Sequence, residues 1–162
     1  MLGLIKRICK GLNDLKTLRT LYCSLVSSNL EYCSVVWSLY SRKNTNKLEG
    51  VQRRATKFIL KTKDSCETRL ERLNLLSLED RRVLTDVNFF FKGLKGLADV
   101  DVSHFVNCDN YSFRHDHLML KKKYARTNTL QYSYLHRIVD SWNILPVDIH
   151  ILHVVLGILN LK

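Results

Sequence analysis

The sequence predicts an all-α chain: a small bundle of about five to six helices, with an irregular or short extended arm around 98–130. Three observations carry this expectation. Apolar residues recur at i, i+3 and i+7 in successive stretches, the spacing of one helix face. One proline and six glycines in 162 residues leave little turn punctuation, which favours helices with short links. A hydrophobic fraction of 46% is enough for a core, so wholesale disorder is not expected. Three stretches follow: a helical domain over 1–97, a linker arm plus a last helix over 98–146, and a poorly patterned apolar tail over 147–162.

Residues 1–10 form the first candidate, with Leu4, Ile5 and Ile8 on one face, flanked by Lys6, Arg7 and Lys10, and Gly11 ending it. Asn13 or Asp14 caps the next helix, whose stripe is Leu15, Leu18, Tyr22 and Leu25. Ser27, Ser28 and Asn29 read as a break or kink. From Leu30 to Trp37 the chain continues as helix or extended strand, the Val35–Val36 pair leaving both open. The third helix carries Leu48, Val51, Ala55, Phe58 and Ile59 on its apolar stripe, with Asn44 as candidate N-cap. A short helix follows over 66–73, capped by Ser65. Ser77 and Asp80 then resemble a capping box, with Asp in the place of the usual Glu. They open a helix reaching Leu94, with Val83, Val87, Phe90 and Leu94 as its stripe and Asp80, Arg81, Arg82 and Asp86 facing out. Ser133 caps a last helix with Leu135, Ile138, Val139 and Trp142 on one face, stopped by Pro146. Trp37, Leu135 and Trp142 are expected in the core.

Charge is the most one-sided property. Lys+Arg of 26 against Asp+Glu of 15 gives +11, a surplus that attracts polyanions, nucleic acid first and anionic membrane second. Arg53, Arg54, Lys57 and Lys61 fall between the apolar positions of the third helix and so point the other way. A helix with one face on a core and cations on the other suits a phosphate backbone; the competing reading is a solvated cationic face with no partner. Lys121, Lys122, Lys123 and Arg126 form the densest positive run. Tyr124, Tyr132 and Tyr134 are interleaved near it and could stack on unpaired bases. Tyr134 borders the last helix and reads better as core.

The five cysteines, Cys9, Cys23, Cys33, Cys66 and Cys108, are odd in number and none has C-x-x-C spacing, which fits an intracellular, reducing compartment, nucleus or cytoplasm. No stretch reads as a stable membrane insertion, because Asn29, Glu31 and several serines interrupt the most apolar run, 21–37. His104, Cys108, His115 and His117 follow H-x3-C-x6-H-x-H, a pattern with too few thiols for a zinc knuckle, so no metal is expected. Phosphoryl transfer needs carboxylates that hold two metal ions. No adjacent aspartates occur, and Asp99 and Asp101 are the nearest approach. Neither a nucleophile elbow nor a phosphate-cradling glycine loop is present. No catalytic residue and no cofactor are assigned, and the spacing specifies no oligomeric state.

The blocks LYCSLVSSNLEYCSVVWS, KLEGVQRRATKFIL and RLERLNLLSLEDRRVLTD occur in that order. Together they resemble the region downstream of the catalytic core in reverse transcriptases of non-LTR retrotransposons, the LINE or jockey-like elements. The resemblance starts at LGLIKRICKGLND and runs through YARTNTLQYSYLHRIVDSWNILP, so it covers most of the chain. The tail after Pro146 departs from it, because family members carry a polar segment with a Phe-Lys pair there. The resemblance implies a thumb-like helical domain with its following linker, which grips a template–primer duplex beside the missing palm. It would place Gln52, Arg53, Arg54 and Lys57 at the nucleic-acid face. The parent protein would be an RNA-directed DNA polymerase using magnesium, and this chain a truncated copy without its own polymerase activity. The rival readings are a stand-alone basic helical protein-interaction module and a peripheral membrane-binding protein lying on its basic N-terminal helix.

Overall fold

The computed structural model describes residues 1–99, the backbone of 107–108, and 120–145. The described chain is mostly helical, as the periodicity requires. Its helices are α1 (Leu2–Ile8), α2 (Leu15–Tyr22), α3 (Ser28–Glu31), α4 (Arg42–Leu60), α5 (Cys66–Arg72), α6 (Leu78–Leu94), α7 (Asn128–Gln131) and α8 (Tyr134–Ile144). A π-helical turn, Cys23–Ser27, joins α2 to α3. The one extended pairing among the described residues is a two-residue antiparallel ladder, β1 (Asn107–Cys108) with β2 (Leu120–Lys121). The chain divides into two compact units, Met1–Arg82 and Val83–Lys162. That division falls inside α6, not after residue 97 as the sequence suggests. The cause is that the outer turns of α6 put Val87, Phe90 and Phe91 into the core of the second unit. The apolar tail over 147–162 lies outside the described residues, as do most positions of the expected arm.

In the first unit Ile5, Leu18, Tyr22, Val26, Ala55, Ile59 and Leu73 form the core. Each large member that leaves water contributes roughly 1.5–3 kcal/mol. Asp14 caps α2 by accepting from the backbone N–H groups of Lys16 and Thr17, and its carboxyl is held below the ordinary 3.8, first by the Thr17 hydroxyl and then by the Lys16 N–H. Burial pushes the Tyr22 phenol up to about 12. Apolar stripes are only partly used. Leu4, Ile8, Leu15 and Leu25 are exposed although they share helical faces with Ile5 and Leu18. Ser27 to Asn29 does not break the helix. The distortion is the π turn that ends at Ser27, helix continues through Ser28 and Asn29, and the chain leaves helical geometry after Glu31, with Cys33 at φ 52°. α4 starts at Arg42 with Ser41 at the N-cap, so Asn44 lies in the first turn and does not cap. Lys61 ends α4 in the left-handed region, at φ 53°. Ser65 caps α5 through Thr68 N at 3.2 Å, as its spacing predicts.

Arg81 and Arg82 were expected to face water. Arg81 instead is half-buried, bonding Ser27 Oγ at 2.7 Å and pairing with Glu31 at 2.9 Å. Arg82 is buried, donates to the Leu30 carbonyl and lies 5.1 Å from the centre of the Trp37 ring. An arginine stem packs like an apolar side chain while its head finds oxygen and ring partners. Trp37 is itself exposed and is not a core residue.

In the second unit the core is Val87, Phe90, Phe91, Leu120, Ile138, Val139 and Trp142, with Phe90 edge-on to Trp142 at 4.9 Å. Asp86, also expected outside, is buried and meets Arg137 at 3.1 Å. Val83, expected on the stripe, is exposed, as is its neighbour Leu84. Asn143 takes the part of a missing strand neighbour: its side-chain amide accepts from Leu120 N at 3.0 Å and donates to Leu120 O at 2.9 Å. No helix among the described residues is long and apolar enough to cross a membrane.

Candidate nucleic-acid interface

The site is built on α4. Its stripe buries Ala55 and Ile59 and half-buries Val51 and Phe58, which fixes the rotation of the helix. Arg53, Arg54 and Lys57 consequently stand exposed on the opposite side. None of the three has a carboxylate within ion-pair distance among the described residues. Arg53 Nη2 donates to the Asn46 carbonyl at 3.2 Å, and Arg54 Nε to the Gly50 carbonyl at 3.1 Å. Both guanidinium groups are steadied by their own helix and keep free N–H positions, since Arg carries five donors. Lys61 is exposed and donates to the Asn13 side-chain oxygen.

Gln52 departs from the expectation that it faces nucleic acid. It is fully buried, and its Nε2 donates to the Leu76 carbonyl at 2.8 Å. The reason is periodicity: Gln52 lies three residues before Ala55 and seven before Ile59, so it belongs to the core stripe. Its role is to tie α4 to the segment that leads into α6.

The structure adds residues that the spacing of α4 did not suggest. Gly50, Arg53, Arg54, Lys57, Lys63, Asp64, Cys66 and Arg69 line a cleft of about 500 Å³. Arg69 is only 3% exposed. Its Nε donates to Thr56 Oγ1 at 3.2 Å, and its Nη1 to the Asp64 carbonyl. The Asp64 carboxylate is taken by Arg72 at 2.9 Å. The signal was present: Arg69 lies four residues before Leu73, the C-cap of α5, and Leu73 is core, so Arg69 shares a buried face.

The second basic group lies in the other unit. Lys121, Lys122, Lys123 and Arg126 are exposed, and Tyr124 is 90% exposed. Lys122 pairs with Asp140 at 2.5 Å. The Lys123 carbonyl accepts from Nε2 of buried His136 at 3.0 Å, which fixes the backbone of the run. Tyr132 is exposed, whereas Tyr134 is half-buried against the core, and its hydroxyl donates to the Asp86 carbonyl at 3.0 Å. Burial pushes the Tyr134 phenol far up, and the Asp86 carboxylate adds to the effect.

Of the candidate metal cluster, His104, His115, His117 and the Cys108 side chain lie outside the described residues, as does Asp101. Cys9, Cys23, Cys33 and Cys66 are free thiols. Comparison with protein-family models, with curated proteins and with solved structures finds no match in any of the three.

Proposed function

We propose that this chain corresponds to the thumb and helical linker of a non-LTR retrotransposon reverse transcriptase, and that it binds the sugar–phosphate backbone of a template–primer duplex without sequence preference. The observation that supports this reading is the exposed row Arg53, Arg54 and Lys57 on a core-packed helix, with no carboxylate paired to it among the described residues. The order of the sequence blocks supports the family origin. On this reading the chain makes no phosphodiester bonds by itself; the polymerase carboxylates and their magnesium ions belong to a palm outside this sequence. Lys61, Lys63 and the exposed group Lys121, Lys122, Lys123, Tyr124 and Arg126 supply further contacts.

Phosphate contacts release condensed counterions, so affinity must fall with salt, by roughly 0.9 in the logarithmic slope for each duplex phosphate neutralised. Electrophoretic shift of an RNA–DNA primer–template hybrid at graded salt tests this. The expected result is binding at low salt that weakens steeply, and loss of about a hundredfold on reversing Arg53, Arg54 and Lys57 to Glu. Circular dichroism of the variant should match the parent, because all three side chains are exposed. Absence of any shift at low salt, or a shift indifferent to the reversal, contradicts the reading.

A further inference from the structure

We infer that the cleft between α4 and α5 is a pocket for a phosphate monoester, and that its occupant is the phosphorylated end of a nucleic-acid strand. The inference deepens the backbone-binding reading above and rests on it for the identity of the occupant.

Arg69 carries the argument. A cation taken out of water is strongly penalised unless an anion compensates it. Arg69 is 97% hidden, yet no carboxylate lies within ion-pair distance of it among the described residues. The acid lining the cleft, Asp64, gives Arg69 only its backbone carbonyl and commits its carboxylate to Arg72. Two of the three guanidinium nitrogens are spent on Thr56 and Asp64, which lock the plane of the group, and Nη2 has no protein partner among the described residues. A guanidinium fixed in place with a spare donor suits a phosphate oxygen, a short charge-assisted contact.

The surroundings set the class of anion. Arg53, Arg54, Lys57 and Lys63 line the same cleft, so with Arg69 five cationic residues border it beside a single acidic one, Asp64. An internal backbone diester brings a single negative charge. A monoester carries close to two at neutral pH and three strong acceptor oxygens, which match this surplus better. A volume of about 500 Å³ exceeds a bare phosphate and falls in the range that holds a small molecule, so a nucleotide at a strand end fits.

Cys66 lines the cleft and supplies a probe independent of strand binding. Its alkylation by iodoacetamide can be followed by peptide mass spectrometry at fixed ionic strength, with exposed Cys33 as internal control. Adenosine 5′-monophosphate should slow the Cys66 reaction about fivefold or more and saturably. The 3′,5′-cyclic nucleotide, a diester, should slow it less than twofold, and Cys33 should not respond. Lys63→Gln, an exposed substitution, and Arg69→Lys should each remove the protection. Equal protection by both nucleotides, none by either, or protection that survives both substitutions overturns the pocket. A fluorescent oligonucleotide should bind about tenfold tighter with a 5′-phosphate than with a 5′-hydroxyl. Equal binding of the two strands overturns the strand end as occupant while leaving the backbone reading intact. Nucleotide protection without binding of either strand overturns both. Protection by vesicles containing phosphatidic acid, with none by the phosphorylated strand, transfers the pocket to a lipid headgroup and overturns the proposal.

Discussion

Arg69 in the first unit and Arg137 in the second are both held largely out of water, but they are compensated differently. Arg137 reaches both carboxylate oxygens of buried Asp86, at 3.4 and 3.1 Å, and the Tyr132 carbonyl at 3.1 Å. Arg69 meets a hydroxyl and a carbonyl, both neutral. The exposed basic groups differ in the same direction. Lys122 already has Asp140, and Lys123 belongs to a backbone fixed by His136, whereas Arg53, Arg54 and Lys57 have no carboxylate within ion-pair distance among the described residues. Arg137 and Lys122 of the second unit are compensated by its own carboxylates, while the cations around the α4–α5 cleft have no such ion pair among the described residues.

The largest expected effect separates the two arginines. Asp86→Ala removes one member of a buried pair and strands the other, which should destabilise the protein by about 3–5 kcal/mol in urea unfolding. Arg69→Met removes a buried cation that had no anionic partner and should change stability by no more than about 1 kcal/mol. Equal losses for the two would erase the contrast. Next is Asn143→Ala, which leaves the N–H and C=O of buried Leu120 without their amide partner and should cost about 1–3 kcal/mol. The same change should loosen the adjacent basic run and leave Cys66 reactivity in the α4–α5 cleft unaltered. The smallest effect belongs to the cap of α2. Because the Asp14 carboxyl is held low in the folded chain, its contribution is present above the ordinary carboxylate value and is lost as pH falls through the folded one. Asp14→Ala should therefore be slightly less stable than the parent at neutral pH and indistinguishable from it in strong acid, read by thermal melts across pH.

Much of the helical layout was legible from spacing. Ser65 before α5, Ser77 with Asp80 before α6, and the stripe Ala55 with Ile59 each follow from short-range rules that tertiary context did not override. The cationic face of α4 follows from the same stripe. Single positions show where local patterns fall short. Gln52, Arg69, Arg82 and Asp86 all occupy buried helical positions, although spacing turns Arg82 and Asp86 outward and the family resemblance puts Gln52 at the nucleic-acid face. In each case a distant partner decides burial: Leu76 for Gln52, Thr56 for Arg69, Leu30 and Trp37 for Arg82, Arg137 for Asp86. Such partners lie 13 to 52 residues away for the hydrogen-bonded ones, beyond any local pattern. The cleft was illegible for the same reason, since Lys63 and Arg69 join Arg53, Arg54 and Lys57 only once α5 folds back on α4.

The salt dependence of hybrid binding, compared between two neutralised variants, tests the central claim most directly. One variant carries Arg53→Gln, Arg54→Gln and Lys57→Gln; the other carries Lys121→Gln, Lys122→Gln and Lys123→Gln. If the α4 cations lie along the phosphates, the first variant should reduce the logarithmic slope by about 3, and the second, whose Lys122 is already paired, by about 2 or less. An unchanged slope in the first variant, with binding otherwise intact, would contradict the account.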